Sequence, residues 1–384
     1  MSELRQVVVV GAGYAGVMAA NRILAAGQDG VTVTVVNPRA DFVERIRLHQ
    51  RATDGAEATV PLAELLHPDA RLHLATVDRI GDRAVLLDGG QSLPYDYLVY
   101  AVGSVADRGG NPADSVHTVG DLEDADRLRA RLRELPGGAD VTVVGGGLTG
   151  IETAAEVAER RPDLAVRLVS AGPLAEHLPA ASRASITRTL TSLGIAVREG
   201  ARIRRVADGR VELDDGSSLP SDCTVWAGAF GVPDLARRSG LPVDESGRLR
   251  TDESLICQGH PTIVGVGDAV APPATVAGHV RMSCQAALPL GAHGADTVLA
   301  LLRGESPDRL SLGFLAQCVS LGRRSGLFQL VRADDSPRRF ALRGRLGAFV
   351  KEQICRSTVK YVRAGSYPGP AGPKPVREQP SVSA

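Results

Sequence analysis

A chain of 384 residues exceeds what one hydrophobic core organises, so two or three domains are expected. Formal charge sums to zero and aromatic residues make up only 3%, which leaves neither a basic field nor a stacking surface for nucleic acid. The five cysteines (Cys223, Cys257, Cys284, Cys318 and Cys355) are odd in number and scattered, without CxxC pairs or histidines at zinc-ligand spacing, so they read as ordinary thiols and no metal is expected.

In chain order, MSELRQ runs straight into an apolar strand with none of the features of a secretory signal, and a cytoplasmic location is expected. Residues 7–10, VVVV, are β-branched and bounded by glycine, which suits a strand buried on both faces of a parallel sheet. Gly11, Gly13 and Gly16 follow, and VMAANRILAA then predicts a helix with an apolar face. Each glycine has its own physical reason. Gly11 permits the tight turn, Gly13 lets backbone approach a pyrophosphate, and Gly16 lets helix and strand pack closely. The phosphates would meet the amides and the positive dipole end of that helix. The next strand, VTVTVV, ends at Asn37, where an acid usually accepts the ribose hydroxyls. Asn37 reads either as a hydroxyl partner or as a turn residue before Pro38.

Residues 141–152, VTVVGGGLTGIE, repeat the cradle with Gly145, Gly147 and Gly150. The segments behind the two cradles also match: DRIGDRAVLLDGGQSLPYDYLVYAVGS (78–104) and RRVADGRVELDDGSSLPSDCTVWAGAF (204–230) both read as strand, Gly-bearing hairpin turn, Ser-Leu-Pro, Asp and a closing apolar strand. Such a repeat implies two dinucleotide-type domains. A third segment, IVGVGDAV (263–270), reads as a short strand ending in Gly267-Asp268.

On these residues the chain resembles the two-dinucleotide-binding-domain flavoproteins of the pyridine nucleotide-disulfide oxidoreductase superfamily, over roughly residues 5–300. The resemblance implies an α/β fold with two Rossmann-like domains, the NAD domain inserted into a split FAD domain, and a small C-terminal α+β region. The corresponding limits are 1–110 and 241–305 for the two parts of the FAD domain, 111–240 for the NAD(P)H domain, 306–364 for a C-terminal hairpin and basic helix, and 365–384 for a disordered tail. By the same resemblance FAD would be held by Gly11, Gly13, Tyr14, Ala15, Gly16, Asn37, Arg45, Val77, Ala101, Gly103, Gly267 and Asp268, the last on the ribityl chain. NAD(P)H would be held by Gly145, Gly147, Leu148, Thr149, Gly150, Glu152, Ser170 and Gly228, with Glu152 where nicotinamide and flavin meet. Ser170 stands where NADH-preferring relatives often carry an acid, so NADH and NADPH both stay open.

Disulfide reductases of this architecture carry a cysteine pair soon after the first cradle, and residues 41–55, DFVERIRLHQRATDG, contain none. A thiol relay is thereby excluded. The stretch resembles instead type II NADH dehydrogenases and apoptosis-inducing-factor-like quinone reductases, including ferroptosis suppressor protein. That likeness puts Arg45 and residues 48–50 beside the flavin, with His49 read equally as a packing residue. Residues 275–302 are the family's helix at the flavin ring. Type II NADH dehydrogenases have two glutamines four apart there, and this chain has Arg281 and Gln285. Glu152, Arg281 and Gln285 are the expected catalytic set.

Residues 311–332 predict a hairpin across a Gly-bounded basic turn. Arg338, Arg339, Arg343, Arg345, Lys351, Arg356, Lys360 and Arg363 then crowd a span in which Leu342, Leu346, Phe349, Val350 and Ile354 recur at helical spacing. Two readings stand for residues 338–363: a helix docking its apolar face with the basic face solvated, or peripheral contact with an anionic membrane at the inner face of the cell. The function expected is FAD-dependent transfer of hydride from NAD(P)H and then of two electrons to a quinone. A ferredoxin-type protein carrier and an NAD(H)-sensing role are the alternatives. Oligomeric state, a homodimer included, stays open.

Overall fold

The computed structural model describes residues 4–112, 114–207 and 209–373. The valine run becomes the strand Arg5–Val10 inside a six-stranded sheet. Val31–Asn37 and Tyr97–Tyr100 lie on either side of it, both parallel, and the sheet extends to Arg71–Leu74 at one edge and through His260–Gly265 to Ile256–Cys257 at the other. Val7, Val8 and Val9 are all buried although they point to alternate faces, because each face is covered. Val7 and Val9 pack with the helices Tyr14–Ala25 and Cys284–Leu302. Val8 and Val10 pack with the small antiparallel sheet Val77–Ile80, Ala84–Leu87 and Ser92–Pro94. The two helices approach closely where Gly291 faces the backbone of Ala15, a place that no Cβ fits.

The second lobe repeats this plan. Asp140–Val144 sits between Ala165–Val169 and Cys223–Trp226 in a four-stranded parallel sheet closed by Ala196–Arg198. Its accessory sheet, Ile203–Ala207, Arg210–Leu213 and Ser218–Pro220, reproduces that of the first lobe down to the register shift in its first strand pair, at Val77/Arg79 in one and Ile203/Arg205 in the other. The chain crosses between the lobes twice, and the crossings pair with each other, Val105–Ala106 antiparallel to Phe230–Gly231.

The second lobe does not complete its core alone. Leu48, Ala52 and Ala58 from the first lobe pack with Val141, Ile151 and Leu168, as do Val319, Leu321 and Leu327 from the C-terminal region. That region is a three-stranded antiparallel sheet, Ala316–Ser320, Gly326–Val331 and Pro337–Arg343, followed by the helix Gly344–Ala364. The hairpin expected from the sequence is therefore present. The basic span is split, however: Arg338, Arg339, Leu342 and Arg343 lie in the third strand, because cross-strand pairing with residues 327–331 outweighs their helical spacing, and the helix starts only at Gly344.

The helix also docks through a face other than its apolar one. Gly347, Lys351, Cys355, Thr358 and Val362 are buried, whereas Leu346 and Phe349 remain 55% and 61% exposed. Beyond the helix, Pro370 and Gly372 hydrogen-bond residues 313 and 311. The expected disorder of the tail falls, from 374 onward, outside the described residues.

Candidate functional site

The two cradles are sterically the same object. Gly11 has φ +103° and a Cβ there would sit 2.5 Å from the Ala101 carbonyl oxygen; Gly145 has φ +128° and its Cβ would sit 2.5 Å from that of Ala227. Gly16 and Gly150 each face the carbonyl of the first glycine of their own loop, too close for any side chain. Gly13 and Gly147 differ from these: a Cβ at either meets nothing within 4 Å. In each lobe two glycines are thus required by the protein's own packing, and the third faces open space at a helix N-terminus, the place a pyrophosphate takes. Both loops sit at the carboxyl end of a strand flanked by parallel partners on each side, the switch point where open α/β sheets bind ligands.

Around the first cradle, Asn37 is already engaged. Its Oδ1 accepts the Ala12 amide (3.0 Å) and its Nδ2 donates to the Arg39 carbonyl (2.8 Å), so it braces the loop from the end of its strand. Tyr14 is buried edge-on to Phe42 and its hydroxyl has no partner, while burial raises its pKa well above the usual value. Val77 and Ala101 are buried in the adjoining core, and Gly103 follows with φ +69°. Next comes a linked group: Arg45 Nη1 donates to the Ser104 carbonyl (2.5 Å), Ser104 Oγ donates to Asp268 Oδ2 (2.8 Å), and the Ser283 amide donates to Asp268 Oδ1 (3.0 Å). Gly267 lies against Ala15, so the returning segment reaches the first cradle as the sequence implied.

Ser283 also caps the Cys284–Leu302 helix, its hydroxyl accepting the Ala286 amide. A Ser283→Ala variant is expected to lose about 1 kcal/mol of stability in thermal or urea unfolding. It should still retain FAD, because the amide that holds Asp268 is untouched.

Where the second cradle helix, Leu148–Arg160, begins, three parts of the molecule converge on Glu152. The Ser320 amide donates to its Oε1 (2.9 Å), Lys351 Nζ bonds the same oxygen, and His49 Nδ1 lies 3.9 Å from Oε2. All three side chains are shielded from solvent. Burial pulls the Lys351 ammonium down to about 8, with Arg47 acting in the same direction and Cys355 and Glu352 opposing. Burial, helped by Lys351, Arg323 and Arg47, pushes the His49 imidazole well below its usual range, so it is neutral, and its Nε2 has no partner. Lys351 was invisible as a site residue in the sequence, one cation among eight in a basic run. Its only signal there was position, on the helix face opposite Leu346 and Phe349.

Arg281 and Gln285 meet each other, Arg281 Nη2 donating to Gln285 Oε1 (3.1 Å). Asp335 takes Arg281 Nε (2.6 Å), and the guanidinium lies 4.6 Å from the centre of the Phe314 ring. Among the described residues no hydrogen bond joins this pair to Glu152, so the expected catalytic set forms two groups. At the far end of the second cradle, Ser170 is buried with its hydroxyl against Gly146, and Glu199 accepts the Leu174 amide (2.5 Å). Leu148 and Thr149 open the helix, and Gly228 lies beside the Trp226 indole. Burial pushes the thiols of Cys223, Cys257, Cys284 and Cys318 up to about 12, which keeps them protonated. Among the described residues no cluster suits a metal ion.

Comparison with known proteins agrees with this geometry. Residues 5–291 match the family model described as pyridine nucleotide-disulphide oxidoreductase. An NADH dehydrogenase-like protein of Mycobacterium tuberculosis is 30% identical over 353 residues, covering 85% of this chain and 88% of that protein. Demethylphylloquinone reductase of Synechocystis is 26% identical over 294 residues, with 70% and 72% covered. Among solved structures, the sulfide:quinone oxidoreductase of Aquifex aeolicus superposes with a TM-score of 0.79 at 19% identity, over 94% of this chain and 92% of that one. The chain belongs to the pyridine nucleotide-disulphide oxidoreductase family and is a two-dinucleotide flavoprotein oxidoreductase, with FAD and NAD(P)H as its cofactors.

Proposed function

We propose that the chain is an NAD(P)H:quinone oxidoreductase. The observation that carries this reading is the convergence at Glu152, where the helix of the second cradle meets His49 of the first lobe and Lys351 of the C-terminal helix. When bound, FAD would supply two-electron chemistry between NAD(P)H and the acceptor. In balance, NAD(P)H, one proton and a quinone give NAD(P)⁺ and a quinol.

The chain's own residues bind and orient. Gly13 and Gly147 leave room for the two pyrophosphates, and Asp268, steadied by Ser104 and Ser283, would hold the ribityl chain of the flavin. Lys351, while protonated, offsets the Glu152 carboxylate, and the buried walls there exclude water. Arg281, held flat by Asp335 and Gln285, offers a fixed cationic wall to a carbonyl-bearing ring. A quinone is favoured over a thiol acceptor because residues 41–55 lack cysteine, and the name of the Synechocystis relative points the same way.

The exposed Phe340, Leu346, Phe349 and Ile354, flanked by the exposed Arg338, Arg339, Arg345 and Arg356, support peripheral contact with an anionic bilayer, where a lipid-soluble quinone resides. No helix among the described residues is long and apolar enough to cross a membrane. A Leu346→Glu/Phe349→Glu variant is therefore expected to sediment with anionic vesicles at least about tenfold less than wild type, each charge near the surface contributing about 1 kcal/mol.

The deciding experiment records the absorption spectrum of purified protein before and after NADH and NADPH, added separately, and then with a soluble quinone. Flavin that is bleached and quickly restored by quinone supports the reading. Restoration by a carrier protein such as a ferredoxin and not by quinone replaces it, as does bleaching that no acceptor reverses, which favours a sensor. Protein that stays colourless in excess FAD ends it.

A further inference from the structure

We propose that the turn at 320–326 is a clasp that fixes the second nucleotide lobe against the first, with Arg323 as its positioning residue. Besides the short ribbon, Val105–Ala106 with Phe230–Gly231, and the packing of Leu48, Ala52 and Ala58 into the second lobe's core, the two lobes share one more tie. Here a third element ties them. Glu152, Glu156 and Glu159 stand four and then three residues apart on the Leu148–Arg160 helix, so they form one stripe along it. The turn takes all three: the Ser320 amide binds Glu152, Arg323 Nε binds Glu156 Oε1 (2.5 Å), and the Arg323 amide binds Glu159 Oε2 (2.6 Å).

The same guanidinium reaches the other lobe. Arg323 Nη2 lies 2.9 Å from Asp54 Oδ2, at the end of the Leu48–Asp54 helix, and Arg160 lies 2.8 Å from that same oxygen. One side chain thus bridges two lobes from a third element. Beneath it Val319, Leu321 and Leu327 enter the second lobe's core beside Leu48 and Ala52, which makes the contact dry as well as ionic.

The local sequence suits a clasp. Gly322 has φ +77°, which strains any other residue, and a Cβ there would crowd the Glu159 carboxylate at 2.8 Å, so glycine lets the turn press onto the helix with that carboxylate in place. Glu156 is fully buried, a state a carboxylate tolerates only when paired, and Arg323 and Arg160 are its partners. Without Arg323, Glu156 and Asp54 would have Arg160 alone between them. The clasp also sets the catalytic geometry, since Ser320 and Lys351 together aim Glu152 at the junction.

The role assigned to Arg323 rests on the hydride-transfer reading, and its test separates the two. Hydrogen–deuterium exchange is followed on the apoprotein, wild type against Arg323→Gln, and flavin reduction by NADH is followed on the FAD-loaded forms. Loosening of the clasp is expected to speed exchange at least about fivefold in the 105–106 and 230–231 ribbon. It should also lower the limiting rate of flavin reduction about tenfold or more, since a 1 Å misplacement can cost about a hundredfold. The nucleotide dissociation constant should move less than about threefold, because the second cradle itself is untouched. Arg323→Lys, which keeps the charge and loses the fork, should fall between.

Should Arg323→Gln not fold, Gly322→Ala carries the test, because it leaves every charge in place and strains only the turn. Wild-type exchange together with a wild-type reduction rate in the variant that is read overturns the clasp, as does a loss wholly explained by weaker nucleotide binding. If wild-type flavin is reduced by neither nucleotide, the functional reading fails instead, and the exchange data still decide whether the lobes are clasped.

Discussion

A Gly13→Val variant is expected to purify colourless yet folded, whereas Gly147→Val is expected to purify yellow and resist bleaching by NADH and NADPH. The cause is steric. Gly13 and Gly147 have φ −83° and −75°, values open to any residue, and a Cβ at either meets no protein atom within 4 Å. The protein itself presents no obstacle to the Cβ of the new side chain. A dinucleotide does, because the side chain fills the space through which its pyrophosphate reaches the helix amides. A loss of at least about a hundredfold in affinity is expected, or about 3 kcal/mol. Flavin absorbance, nucleotide titration and the melting temperature of the apoproteins check the three parts. Retention of flavin by Gly13→Val would show that the first cradle is not where the cofactor lies. By contrast, Gly11→Ala is expected to fail in folding as well as in binding, because its Cβ collides with the Ala101 carbonyl.

The second large effect concerns Lys351. Burial lowers its amine to about 8, and the Glu152 carboxylate in contact with it acts the other way, so the amine is charged at neutral pH. In the charged state it compensates Glu152; in the neutral state the carboxylate loses its cationic partner at the junction where, on the proposed function, hydride passes. Flavin reduction by NADH is therefore expected to slow as alkaline pH strips the proton from the amine, at or above about 8. Lys351→Met keeps the volume and removes the charge. It should abolish that inflection and run about a hundredfold slower at neutral pH, the scale of a lost electrostatic contact at a reacting centre. Stopped-flow rates across the range from neutral to alkaline pH would decide, and an unchanged profile in the variant would remove Lys351 from the mechanism. His49, kept neutral by its surroundings, should contribute no inflection near its ordinary range.

What could be read from the sequence was whatever local sterics determine. Gly11, Gly16, Gly145 and Gly150 announced themselves because a tight turn against a strand admits no other residue, and the matched hairpins announced the duplication. Asp268 was legible by its place after a short strand, and the structure ties it to Ser104 and Ser283. What stayed hidden depends on distant segments meeting. Lys351 and Glu152 are far apart in the chain, and nothing in the spacing of the basic run marks one lysine as buried. Leu346 and Phe349 carried a helical period that looked like a docking face, yet the helix docks through Gly347, Cys355 and Thr358, where small side chains permit close approach. The arginines at 338, 339 and 343 are drawn into a strand by a neighbour that local propensity does not see. Arg323 was read only as part of a basic turn, since its partners Asp54, Glu156 and Glu159 come from two other regions of the chain.

The side-by-side crossings at 105–106 and 230–231 bear on how such a chain could arise. When entry and exit are neighbours, a duplicated gene segment can be spliced into its own parent without displacing the host's strands, much as a loop is lengthened. Yet Leu48, Ala52, Ala58 and, from the 319–327 hairpin, Val319, Leu321 and Leu327 are part of the inserted lobe's interior. Excised, the inserted lobe would expose that apolar surface, so the regions depend on one another in folding.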